Sequence, residues 1–92
     1  MSELLLEIKK IIEEEKNLEV LHEKLMDVHP YDFAQIFGEL TTQERQEIYD
    51  VLHPDEIADI IEYIEDNDLV LSILSEMPKR EGAEIIDEME RD

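Results

Sequence analysis

Two His-Pro pairs, His29-Pro30 and His53-Pro54, stand 24 residues apart, and an imidazole in either could bind a metal or carry a proton. Reach argues against one shared ion. Histidines in successive helical repeats lie about 10 Å apart on helix-packing distances, whereas a metal–nitrogen bond is about 2 Å long. Both histidines are therefore read as turn and packing residues. The proline after each suits a first helical position, where its missing N–H has no helical partner. His22 has no recurring partner in the pattern. No cysteine is present, which removes thiolate chemistry and zinc-knuckle spacings. Nor is there a Ser-His-Asp set, a phosphate-binding glycine loop or a metalloprotease motif, so the chain is read as a non-enzyme.

The chemistry that remains is that of carboxylates. Asp and Glu number 27 against 8 Lys and Arg, for a formal net charge of −19. Such a chain is repelled by nucleic-acid phosphates and by an anionic leaflet, and it attracts cations or a basic protein surface. Acidic pairs at i, i+4 recur in Asp55/Asp59, Glu62/Asp66 and Glu84/Glu88. A helix face carrying Asp55, Asp59, Glu62 and Asp66 offers the oxygen ligands that Mg²⁺ prefers, though weakly when alone, because its like charges repel. Against a second acidic domain, that repulsion prevents docking until cations fill the gap. The result is a switch set by cation concentration.

The elements that must position these groups are helices. Apolar residues fall at three- and four-residue steps, and two glycines leave little room for hairpin turns, so the fold class is all-α. Ser2 caps a first helix with Leu4, Leu5, Ile8, Ile11 and Ile12 on one face, and a second buries Leu18, Leu21, Leu25 and Val28. Residues 1–28 thus form two N-terminal helices of the same domain. Residues 29–92 form helical repeats of about 24 residues. Phe33, Ile36, Phe37 and Leu40 recur as Ile57, Ile60, Ile61 and Ile64, and a third copy gives Gly82, Ile85, Ile86 and Met89, one residue late. Ala34, Ala58 and Ala83 follow that register. Between the copies, Thr41 and Glu44 make a capping box for a helix burying Ile48, Val51 and Leu52, and a further helix buries Val70, Ile73, Leu74 and Met77. One such hairpin cannot bury its own apolar faces, so neighbours must stack. The expectation is seven short helices in a right-handed α-superhelix of helical hairpins, armadillo- or HEAT-like in style. The chain stops at "MERD" within the third unit, which points to following domains. No apolar run reaches the roughly 20 residues of a membrane span, and a cytoplasmic location is expected.

"HPYDFAQIFGEL", "LHPDEIADIIEYI" and "MPKREGAEIIDEM" resemble the cytoplasmic N-terminal domain of MgtE-type magnesium transporters, most distinctly from Leu25 to Met89. That resemblance implies an α-superhelical domain followed by tandem CBS domains, a connecting helix and a dimeric transmembrane channel. It also implies regulatory Mg²⁺ held between this domain and CBS domains of the same or a partner subunit, closing the channel when cytosolic Mg²⁺ is high. The acidic residue after the second repeat's alanine, Asp59, matches a position the family uses toward that interface, and Asp92 matches a second. Asp55 and Glu62 share the face of Asp59. The third copy departs from the pattern, with Lys79 and Arg80 after its proline and Gly82 at an apolar slot. The middle region of a flagellar motor-switch protein has a similar helical style. The alternative reading is accordingly an acidic helical scaffold that binds a protein partner and senses no ion.

Overall fold

The computed structural model describes residues 2–90, and every regular element among them is an α-helix. The seven are α1 (Glu3–Glu14), α2 (Leu18–Met26), α3 (Pro30–Phe37), α4 (Thr42–Val51), α5 (Pro54–Glu62), α6 (Asn67–Ser75) and α7 (Lys79–Met89). Short polar side chains start most of them by satisfying orphan backbone N–H groups. Ser2 accepts from Leu5 N at 3.1 Å, and Asn17 accepts from Glu19 N and Val20 N. Asp66 does the same for Asp68 N and Leu69 N. At α4 the capping box closes both ways, Thr41 N to Glu44 at 2.8 Å and Glu44 N to Thr41 Oγ1 at 3.1 Å. Pro30 and Pro54 open α3 and α5.

One hydrophobic cluster joins all seven helices. α1 packs on α2 and α4, α2 also on α4, while α5 lies between α3 and α7. Phe33, Ile36, Phe37 and Leu40 are all buried, as are Ile57, Ile60 and Ile61. Phe33 and Phe37 are each 1% exposed, so either one cut to alanine costs about 3–5 kcal/mol.

Three details differ from the sequence expectation. The buried register of α7 keeps the strict 24-residue step: Gly82 follows Ala34 and Ala58, and Ile85 follows Phe37 and Ile61. Ala83 is exposed and Ile86 turns outward, 43% exposed. The alanine spacing misled because only the helix start moves. Pro78 is the N-cap of α7, whereas Pro30 and Pro54 are first helical residues. The slot itself takes a small residue, because α7 crosses α6 here and a Cβ on Gly82 would lie 3.6 Å from the Leu74 carbonyl oxygen. Second, Leu18 is 67% exposed, since α2 begins there, outside the packed turn. Third, α5 ends at Glu62 and Asp66 caps α6, so those two carboxylates do not share a helix. Among the described residues no helix is long and apolar enough to cross a membrane.

Candidate metal-binding surfaces

α5 presents Asp55, Asp59 and Glu62 on its outer side, all exposed, at i, i+4 and i+7. Its inner side is held by Ile57, Ala58, Ile60 and Ile61. Asp55 sits in the first turn, where the helix dipole favours a carboxylate. Across from it, α7 contributes Glu84, Asp87 and Glu88, and these residues with Pro54 and Asp55 line an open groove of about 390 Å³. The structure thus brings Asp55 to the α7 acids and leaves Asp59 and Glu62 outside that lining, further along α5. Asp92 lies outside the described residues. The groove's donors are nearly all carboxylate oxygens, the ligand type of hard cations.

A second cluster went unread in the sequence. Among the described residues, His22, His53 and Glu56 form a group of three whose ligand atoms all lie within 4.8 Å of one another. α2 supplies His22, the N-cap of α5 supplies His53, and the first turn of α5 supplies Glu56. His22 Nε2 lies 2.9 and 3.0 Å from the two oxygens of Glu56. His53 Nδ1 lies 3.6 Å from Glu56 Oε1, and the two imidazole centroids are 5.1 Å apart. The Glu56 carboxylate also accepts the His53 backbone N–H at 2.7 Å. Burial acts to raise the Glu56 carboxyl, but hydrogen bonds from the His53 backbone and the His22 ring outweigh it and hold it below the usual range. His22 and Glu56 are 34 residues apart, so no local spacing announces their meeting.

The third charged cluster is a clamp. Arg45 grips Glu76 bidentately, Nε to Oε1 at 3.0 Å and Nη2 to Oε2 at 2.8 Å, and donates through Nη1 to the Leu40 carbonyl at 2.7 Å. The Tyr49 hydroxyl donates to Glu76 at 2.8 Å, and Gln46 reaches the Glu76 carbonyl. Burial works to raise the Glu76 carboxyl, and the Arg45 and Tyr49 hydrogen bonds override it and hold it low. Burial, with the adjacent Glu76, pushes the Tyr49 hydroxyl well up. With both ends engaged, this cluster ties α4 to the end of α6 and offers nothing to a ligand.

A family model for the MgtE intracellular N domain matches residues 28–92. The chain belongs to that family. No curated protein and no solved structure matches it. The MgtE intracellular N domain span takes in α3–α7, the acidic groove and two members of the histidine cluster. It leaves out α1 and α2, and with them His22.

Proposed function

We propose that this chain is the intracellular regulatory domain of a magnesium transporter and reads cytosolic Mg²⁺ through the acidic side of α5 and α7. The observation that carries this reading is the match to the MgtE intracellular N domain over residues 28–92. The donor chemistry supports it. Asp55, Glu84, Asp87 and Glu88 line an open groove rather than a closed cage, which suits an ion that keeps several waters and takes few carboxylates from any one surface. Asp59 and Glu62 extend the same face of α5, and Asp92 is proposed to add a further carboxylate.

Carboxylates on CBS domains of the same or a partner subunit, within a homodimeric transporter, supply the other half of the site. At low Mg²⁺ the facing charges repel, and at high Mg²⁺ the ions bridge them and the domains dock. Gating follows from that docking, with no reaction catalysed here and the membrane reached through a following transmembrane domain on the cytoplasmic side. A right-handed superhelical arrangement of the α3, α5 and α7 repeats is the proposed frame, since it presents successive outer faces along one edge.

Backbone-amide NMR tests the ion reading. Mg²⁺ added at constant ionic strength shifts Asp55, Asp59, Glu84, Asp87 and Glu88 at millimolar concentration, more strongly with the CBS domains attached, and Asp59→Asn weakens the response. Shifts spread evenly over every acidic residue and reproduced by Na⁺ would instead favour the acidic scaffold, whose partner is a basic protein surface.

A further inference from the structure

The two His-Pro starts are used differently. His29 spends its ring on the helix, its Nδ1 accepting from Tyr31 N at 3.0 Å. One repeat later the cap of α5 runs through Glu56, whose carboxylate accepts the His53 backbone N–H at 2.7 Å. The His53 side chain, 69% exposed, leans toward His22 and Glu56. The His22–Glu56 hydrogen bond joins two of the three residues, and the His53 ring completes the group beside them.

We propose that His22, His53 and Glu56 form a site for a divalent transition metal of the zinc class, clasping α2 to the start of α5. Two imidazole nitrogens and one carboxylate are the donor set of Zn²⁺, Co²⁺ and Ni²⁺, whereas Mg²⁺ prefers oxygen throughout. The ligand atoms, within 4.8 Å of one another, close on an ion with bonds of about 2 Å by small side-chain rotations. The exposed His53 ring is free to make most of that movement. Glu56 can keep one oxygen on the His53 backbone N–H and turn the other to the metal. On binding, His22 Nε2 releases to solvent the proton it donates to Glu56, the neutral ring carrying its one remaining proton on Nδ1, and the Nε2 lone pair goes to the ion. A groove of about 380 Å³ over the cluster, lined by Leu18, Glu19, His22, Glu23, Val51 and His53, leaves an open side for water as further ligand. Glu19 and Glu23 there add negative potential that draws cations in. His22 lies outside the span matched by the family model, and the site shares no residue with the acidic groove.

Zinc chloride titrated calorimetrically into the 92-residue chain, in excess Mg²⁺ to occupy plain carboxylate sites, tests the proposal. The expected result is one Zn²⁺ per chain, a Co²⁺ complex with tetrahedral d–d absorption, and a raised melting temperature. His53→Gln, at an exposed side chain that leaves the fold intact, and His22→Gln each weaken binding by roughly tenfold or more. Glu39→Gln, at an exposed acid outside both clusters, leaves it unchanged. No binding in excess Mg²⁺, or wild-type binding by either histidine variant, overturns the site.

Discussion

Charged side chains in this molecule divide into those that finish the fold and those that face outward, and Glu76 belongs to the first group. Its carboxylate receives Arg45 and Tyr49 while only 13% exposed. Arg45→Ala should therefore destabilise the chain by about 2–4 kcal/mol, because it leaves a poorly hydrated anion without its partner. Tyr49→Phe should cost about 1 kcal/mol. Urea unfolding measures both. The folded Glu76 pKa lies below the ordinary 4.5, so its stabilising contribution is complete above that pH and fades as pH falls through the folded value. The stability gap between wild type and Glu76→Gln should accordingly be large at neutral pH and close in acid. None of this was legible in the sequence. Arg45 and Glu76 are 31 residues apart, and only packing of α4 on the end of α6 brings them together. The Thr41–Glu44 capping box was legible because its partners are three residues apart and its geometry is local.

α7 is where the repeat pattern is weakest, and its residues say how to repair it. Gly82 occupies the slot of Ala34 and Ala58, is buried, and has no positive φ. An added Cβ would meet its nearest neighbours at 3.6 and 3.9 Å, ordinary contact distances. Gly82→Ala should stabilise the chain by about 0.5–1 kcal/mol, seen as a higher thermal midpoint. Glu81 stands where the earlier copies carry Phe33 and Ile57. Burial, with Asp50 and Glu84 nearby, raises its carboxyl above the ordinary 4.5. The folded state thus holds that proton more tightly than the unfolded chain, and ionised Glu81 opposes folding at neutral pH. Glu81→Gln should raise stability at pH 7 and lose that advantage as pH falls through the folded pKa. Apolar periodicity exposed α3 and α5 in the sequence, since four apolar residues mark each buried face. In α7 the matching slots hold Glu81, Glu84, Ile85 and Glu88, three acids and one apolar residue, so the neighbouring Ala83 and Ile86 supplied a false register.

At the scale of the whole molecule, the radius of gyration is 12.4 Å, close to the roughly 12 Å expected of one packed domain of this length. A net charge of −19 on so small a body makes its acidic face selective by repulsion. Any acidic partner is held off until counter-ions arrive, while basic partners are attracted without them. The proposed Mg²⁺ switch and the scaffold alternative therefore predict opposite salt responses. Composition alone raised cations or basic surfaces as partners, but which carboxylates converge depended on α5 lying against α7. That packing puts Asp55, rather than Asp59, opposite Glu84, Asp87 and Glu88. The most direct test is the association of this chain with the proposed CBS-domain partner, followed by sedimentation as Mg²⁺ is varied at constant ionic strength. The account predicts no complex without Mg²⁺, a complex at millimolar Mg²⁺, and a shift to higher Mg²⁺ in Asp59→Asn and Asp55→Asn. Association that is equally strong without Mg²⁺, or absent at every Mg²⁺ concentration, would contradict it.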